Sequence, residues 1–166
     1  LRCGPVDGGA GHGDASKLAI VGWSYGGYAA LQVNVLDPDL FKAVVAVAPV
    51  ADLALLKAQS AAFTNSAIVK DFIGSGPHVE EGSPAQNVAK FKAPVLMFHG
   101  DLDLNVDIAQ ARKMDKALRG AKKSSQLVVY PKLEHSLVDG EVRADMLRKS
   151  DAFLRSTLKL PAAATP

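Results

Sequence analysis

This sequence of 166 residues contains little cysteine, little excess of charge of either sign and no long apolar run. Cys3 is the single cysteine, which excludes an internal disulfide and predicts no metal cluster. The net charge of +2 favours neither nucleic acid nor a membrane surface as a partner. No apolar run reaches the roughly 18 residues of a transmembrane helix. We therefore expect no metal, no cofactor, no nucleic acid and no membrane.

Enough apolar chain is present for one domain. Hydrophobic residues make up 48% of the sequence, and this length allows a single core to form. No signal peptide is visible at the start. Because the chain begins at Leu1 rather than at methionine, a periplasmic or secreted location stays open beside the favoured cytoplasmic one. The sequence leads to no prediction of the oligomeric state.

The most informative stretch is residues 18–31, LAIVGWSYGGYAAL. It predicts a strand, a sharp turn and a helix, with Ser24 on the turn inside the pattern Gly22-x-Ser24-x-Gly26. Such a turn lifts the serine hydroxyl above the sheet and leaves the Tyr25 amide at the helix start as an oxyanion donor. An ordinary strand–helix junction with a surface serine carries the same short pattern. The rest of the chain must therefore decide between the two.

The remaining chain alternates strands and helices. Uninterrupted apolar runs predict strands that are covered on both faces, as in a parallel sheet. The order β-α-β-(helical insert)-β-α-β-α predicts an α/β fold of about four parallel strands, with active groups at their carboxyl ends. The predicted strands are 18–23, 43–48, 94–100 and 125–131. The predicted helices are 26–36, 108–118 and 141–158, with three more in the insert at 53–62, 66–73 and 83–90. The chain is predicted to divide into an irregular lead-in (1–16), a domain (17–160) with the insert at about 52–91, and a loose tail (161–166).

Three chemically capable residues follow the ends of three predicted strands: Ser24, Asp103 and His135. A serine hydroxyl becomes a nucleophile when a base takes its proton, and histidine titrates in the right range for this task. A buried carboxylate on the far ring nitrogen fixes the histidine tautomer and stabilises the imidazolium. The order Ser…Asp…His is the one expected of α/β-hydrolases. The pattern therefore predicts a serine hydrolase that works through an acyl-enzyme.

Three blocks resemble the catalytic blocks of the prolyl oligopeptidase family of serine peptidases: GWSYGGY at 22–28, HGDLDLNV at 99–106 and EHS at 134–136. The similarity covers roughly residues 14–160, and it is nearest to the acylaminoacyl-peptidase and dipeptidyl-peptidase branch. It implies the α/β-hydrolase fold and a peptidase that cleaves short peptides or related small molecules. A carboxylesterase or lipase on the same triad is the first alternative. An inactive fragment or a non-catalytic hydrolase-fold scaffold is the second.

The resemblance also assigns single residues. The triad acid of the family stands three residues before a valine, which selects Asp103 here, while Asp101 is the competitor and otherwise a turn carboxylate. By the same resemblance Val106 lines the primary side-chain pocket. We expect Phe63 and Leu56 of the helical insert to add to that pocket.

We call the strand, turn and helix start around Ser24 (residues 18–31) the elbow. The sequence departs from the family pattern before this elbow. Family members place a β-propeller and further strands there, and a tyrosine from those strands supplies a second oxyanion donor. Neither precedes residue 18 in this sequence. We therefore expect the C-terminal half of an α/β-hydrolase domain, with its N-terminal strands missing and an unpaired edge on its first strand. Tyr25 would then supply half an oxyanion hole, and loss of one donor typically costs about 10²–10³ in rate.

Overall fold

Four parallel strands form the sheet of the computed structural model, which describes residues 14–161. The strands lie side by side in chain order, which confirms the predicted parallel α/β arrangement. Most of the predicted lead-in and of the predicted loose tail lies outside the described residues. The strands are β1 (Ala19–Trp23), β2 (Ala43–Val47), β3 (Val95–Gly100) and β4 (Ser125–Tyr130).

The central strands β2 and β3 are buried along their whole length. Successive side chains of a strand point to opposite faces of the sheet. Val44 and Met97 therefore pack in one apolar layer, and Val45 and Phe98 pack in the other. The burial of both faces is the reason why these runs are apolar at consecutive positions instead of alternating.

Helices cover both faces of the sheet. Helices α1 (Tyr25–Leu36) and α5 (Ala109–Gly120) supply buried residues to the first layer, and α6 (Gly140–Leu158) supplies them to the second. No described helix combines the length and the apolar character that crossing a bilayer requires. β1 lies at one edge of the described sheet, and Val21 in its middle is 60% exposed. The expectation that further strands precede it stays a prediction.

The segment between β2 and β3 is helical, as expected, but more finely divided. It contains α2 (Leu53–Gln59), α3 (Ser66–Ile73) and α4 (His78–Glu81), and α4 was not predicted. The expected helix over 83–90 is instead two 3₁₀ turns, Pro84–Gln86 and Val88–Lys90. Asn87 separates the two turns, because its side-chain amide donates to the carbonyl oxygens of Glu80 and Ser83. These local hydrogen bonds compete with continued helix.

Gln110 of α5 fastens this insert to the rest of the domain. Its side chain is fully buried, and its Oε1 accepts hydrogen bonds from the amides of Ala51 and Asp52 at 3.0 and 2.9 Å. Its Nε2 donates to the side chain of Gln59 at the other end of α2. One amide side chain thus satisfies buried polar groups at both ends of α2, groups that would be costly to leave unpaired.

Asp52 makes a second connection between the insert and α5. Its buried carboxylate caps α2 by accepting from the amide of Leu55, and it also contacts Gln86 Nε2 and Lys113 Nζ at 2.9 and 2.6 Å. Burial raises the pKa of Asp52, but the contacts with Lys113, the Leu55 amide and Gln86 outweigh it and hold that pKa below its ordinary value. The folded protein therefore favours the charged carboxylate.

Replacing Lys113 with methionine should remove a pH-dependent part of the stability. We expect the free energy of unfolding near neutral pH to fall by about 1–2 kcal/mol, since the lysine is half exposed. Because the pKa of Asp52 is lowered on folding, this stabilisation is present above the unfolded pKa of about 3.9 and is lost as pH falls through the folded pKa. Urea unfolding of wild type and variant should therefore converge in acid.

Lys116→Met is the matched control, since Lys116 lies exposed on the same helix and makes no ion pair with the residues that the structure describes. Its unfolding free energy should follow that of the wild type at every pH. A Lys113→Met deficit that stays constant down to about pH 3, below the unfolded pKa, would contradict the assignment of this stabilisation to Asp52.

Candidate active site

Ser24 stands between β1 and α1 in a strained backbone conformation. Its φ of 57° and ψ of −118° lie outside the regions that non-glycine residues normally adopt. The Ser24 amide donates to the carbonyl of Val47 at 2.8 Å, and the Ser24 carbonyl accepts from the amide of Tyr28 at 3.0 Å. The neighbouring strand and the first turn of α1 therefore hold this conformation in place.

Gly22 makes the sharp turn sterically feasible. A Cβ atom at this position would lie 2.0 Å from the carbonyl oxygen of Gly26, which is far inside van der Waals contact. Any side chain here would push the start of α1 away from β1. The Ser24 side chain does not cap the helix, so Tyr25 begins α1 with its amide among the unpaired donors of a helix N-terminus.

Asp103 lies in the loop after β3, and its side chain is buried. One carboxylate oxygen, Oδ1, accepts from the amides of Asn105 and Val106, both at 2.9 Å. The other, Oδ2, lies 2.7 Å from Nδ1 of His135. Burial raises the pKa of Asp103, but the N–H groups of His99, Val106 and His135 outweigh it and lower that pKa overall. The carboxylate is thus kept charged beside the imidazole.

Asp101, the competing acid, has a different position. Its side chain accepts from the Lys132 amide at 2.6 Å, and the residue is exposed. It therefore acts as a turn carboxylate that ties the loop after β3 to the loop after β4. Glu134, adjacent to His135, is exposed as well. Of these carboxylates, Asp103 is the one that contacts the His135 ring.

The loop that carries His135 packs directly on the end of β3. A Cβ atom at Gly100 would lie 2.2 Å from the carbonyl oxygen of Leu133, so only glycine permits this approach. Leu137 closes the loop with a φ of 45° and a fully buried side chain. Arg143 of α6 donates to the carbonyls of Ser136 and Leu137 at 2.9 and 3.1 Å. The loop is therefore tightly restrained.

The structure brings Ser24, Asp103 and His135 to one edge of the sheet, but it does not join them equally. Asp103 and His135 are in direct contact. The connection between Ser24 and His135 is indirect, because the indole N–H of the preceding residue, Trp23, donates to the His135 carbonyl at 3.2 Å. No hydrogen bond links the Ser24 hydroxyl to the His135 ring in the described part of the chain. Such catalytic contacts are often loose without substrate and tighten when it binds.

An apolar cavity of about 480 Å³ opens beside the elbow. Leu56, a predicted pocket residue, lines it together with Tyr25. Phe63 lines a separate recess of about 270 Å³, where Leu56 and Asp103 also contribute. Val106 is buried and lines neither cavity. Further walls of the larger cavity come from Tyr28, Val50, Leu53, Ile68, Val69, Phe72, Ile73, His78 and Gly82.

A model of the prolyl oligopeptidase family matches residues 9–161. The chain belongs to this family. It is 27% identical over 156 residues to the human acylamino-acid-releasing enzyme, and this alignment covers 89% of this chain and 21% of that protein. It is 31% identical over 126 residues to dipeptidyl peptidase family member 1 of Caenorhabditis elegans, covering 75% of this chain and 15% of that protein. The chain thus spans about a fifth or less of these relatives.

Solved structures of the family show the same fold. A puromycin-hydrolyzing peptidase of Mycobacterium tuberculosis superposes with a TM-score of 0.82 at 26% identity, covering 92% of this chain and 23% of that chain. A dipeptidyl peptidase 4 of Porphyromonas gingivalis superposes with a TM-score of 0.76 at 27% identity, covering 87% of this chain and 20% of that chain. The predicted α/β-hydrolase fold and the predicted family are confirmed.

Within this family member, Trp23 has a role that sequence reasoning missed. Trp23 packs against the core layer around Val45 and Phe98. Its indole N–H also connects the turn that carries Ser24 to the His135 loop. The two residues lie 112 positions apart, so no local pattern could reveal the contact. A direct hydrogen bond thus joins the residue before Ser24 to the backbone of His135.

Trp23→Phe should slow the reaction of Ser24 without unfolding the protein. Phenylalanine keeps an aromatic ring in the core but loses the donor to the His135 carbonyl, so we expect labelling by a fluorophosphonate to slow about tenfold. The control is Tyr130→Phe, which loses a hydrogen bond to Asp145 in the same core layer but does not contact the elbow. Equal labelling rates for the two variants would contradict a positioning role for Trp23.

Proposed function

We propose that this protein is a serine peptidase in which Ser24 is the nucleophile, His135 the general base and Asp103 the orienting acid. The single observation that carries the proposal is the 2.7 Å contact between Asp103 Oδ2 and His135 Nδ1, at the same sheet edge as the strained Ser24 turn. That contact places the proton of the imidazole on Nδ1 and leaves Nε2 free to act as a base. Membership of the prolyl oligopeptidase family supports peptide bonds as the target.

The reaction follows from these positions. Ser24 Oγ attacks the carbonyl carbon of the substrate while His135 Nε2 accepts the hydroxyl proton. The carbonyl oxygen becomes an oxyanion, and the unpaired Tyr25 amide at the start of α1 donates to it. The tetrahedral intermediate then expels the amine, which takes the proton from His135, and an acyl-Ser24 ester remains. A water molecule, activated by His135, hydrolyses the ester and restores the serine.

The charge on Asp103 matters at each transfer. When His135 takes a proton, the imidazolium lies beside a carboxylate that is already held in its ionised form. An ionised, buried partner stabilises this cation more strongly than water would. The two backbone amides on Oδ1 keep the carboxylate from rotating, so Oδ2 stays directed at the ring. Asp103 therefore orients the base and stabilises its charged state.

Ser24→Ala should abolish the activity. We expect no covalent labelling by a fluorophosphonate and a fall in kcat of about 10⁴-fold or more on an aminoacyl anilide, because the attacking oxygen is gone. Ser156→Ala, an exposed serine on α6, is the control and should label like the wild type. Full labelling of Ser24→Ala, or no labelling of the folded wild type, would contradict the proposal and favour a non-catalytic scaffold. Ser24-dependent hydrolysis of a p-nitrophenyl ester with no measurable hydrolysis of the anilide would favour an esterase.

The apolar cavity supports a preference for substrates with an apolar side chain at the attacked residue. Tyr25 supplies the oxyanion donor through its backbone and is also a lining residue of the cavity, so the reacting carbonyl and the cavity lie beside the same residue. Leu56 and Val50 extend this lining with aliphatic surface. A charged substrate side chain would lose its hydration there, and the described lining contains no carboxylate, lysine or arginine to pair with it. We therefore assign the cavity as the primary side-chain pocket.

Leu56→Glu should test this assignment. We expect kcat/KM for an anilide with a leucyl or phenylalanyl residue to fall about 10- to 100-fold, since a carboxylate replaces apolar contact. Labelling by a small fluorophosphonate should change little, because that reagent does not need the pocket. Leu36→Glu, at an exposed leucine at the end of α1, is the matched control. Equal losses in both variants, or a loss of labelling that matches the loss of hydrolysis, would count against the pocket.

A further inference from the structure

A second histidine lies against the same carboxylate oxygen as His135. His99, near the end of β3, is fully buried, and its Nε2 lies 2.8 Å from the carbonyl oxygen of Val106. The same Nε2 lies 3.2 Å from Oδ2 of Asp103. The N–H therefore points mainly at the Val106 carbonyl and presents its positive end to the carboxylate from the side. The reaction steps above assign His99 no contact with the reacting atoms, and His99 does not line the cavity.

The surroundings of His99 define its protonation. Its Nε2 faces two acceptors, the Val106 carbonyl and the Asp103 carboxylate, so this nitrogen carries the proton. Its Nδ1 is buried and has no hydrogen-bond partner among the described residues. A proton on Nδ1 would be a buried donor without an acceptor, which is costly. This geometry favours a ring with a single proton on Nε2, which supplies a dipole rather than a positive charge.

We propose that His99 is a positioning residue that holds the Asp103 carboxylate in line with His135. His99 acts through Val106, whose backbone lies between the two side chains. His99 restrains the Val106 carbonyl, and Asp103 restrains the Val106 amide. The Val106 amide donates to Asp103 Oδ1, and the Val106 carbonyl accepts from His99 Nε2. This inference rests on the proposed function, since it assigns a role to His99 only if Asp103 and His135 serve Ser24.

The neutral state of His99 is essential to this role. A cation at this position would pair with Asp103 and weaken the stabilisation of the His135 imidazolium that forms when Ser24 attacks. A neutral N–H instead restrains the carboxylate and leaves its charge available to His135. The rigidity of the arrangement comes from β3, because His99 is part of a fully buried strand and pairs with Val129 of β4. A side chain on a loop could not hold the acid as firmly.

Two substitutions of similar polarity separate positioning from general packing. In His99→Gln the side-chain amide reaches about as far as Nε2 and can donate to the Val106 carbonyl. In His99→Asn the amide is one methylene shorter and ends near the position of Nδ1. We expect kcat for an aminoacyl anilide to fall about 10- to 100-fold in His99→Asn with little change in KM, and to recover to within about threefold of wild type in His99→Gln.

The outcomes are distinct. A wild-type kcat in folded His99→Asn, or an equal loss in folded His99→Gln, would overturn the positioning role while leaving the peptidase proposal intact. Wild-type protein that shows no Ser24-dependent hydrolysis would overturn the peptidase proposal and this inference together. A KM effect without a kcat effect would place His99 in substrate binding and would also overturn the inference.

A measurement on the unsubstituted protein keeps the inference testable if either variant fails to fold. Nuclear magnetic resonance of ¹⁵N-histidine-labelled protein at neutral pH reports the tautomer of each of the four histidines. Single substitutions of His12, His78 and His135 assign the remaining signals to His99. We expect a neutral ring with the proton on Nε2 and slow exchange with solvent. An imidazolium, or a neutral ring with the proton on Nδ1, would overturn the inference.

Discussion

Burial of the parallel sheet on both faces is the constraint on which the rest of this structure depends. Because neighbouring strands are parallel, the chain must cross back between them each time, and the crossover helices cover β2 and β3 with apolar layers on both faces. All four carboxyl ends then lie along one edge. Three of these ends are followed by Ser24, Asp103 and His135, so residues separated by up to 111 positions in sequence lie at the same edge of the sheet.

Close backbone contact then converts this neighbourhood into a site. Gly22 allows α1 to start directly beside β1, and Gly100 allows the loop before His135 to pack on the end of β3. Side chains at either position would force the backbones apart. The strained φ of Ser24 and the positive φ of Leu137 persist because the packing around them leaves no room for a relaxed conformation. The surrounding packing therefore stabilises strained backbone beside the residues proposed to react.

Contacts between polar groups were the least predictable part of the molecule. The elbow, both carboxylates after β3 and the pairing of Asp103 rather than Asp101 with a histidine could be anticipated from short motifs. The Trp23–His135 link, the clamp of His99 on Val106 and the anchoring of the insert by Gln110 could not. Each of these joins residues through side-chain atoms whose partners depend on rotamers and on loop conformation. The pattern of residue types carries no record of those choices.

The sequence by itself determined the fold class, the order of strands and helices, the family and the residue types able to do acyl-transfer chemistry. The apolar runs and the glycine-rich elbow are local patterns, so they can be recognised in the sequence without knowledge of the fold. Only the tertiary structure decided which groups hold Asp103 beside His135, which helix turns form between residues 83 and 90, and which side chains line the cavity. These depend on distances between segments far apart in the chain, and such distances exist only after both faces of the sheet have been covered.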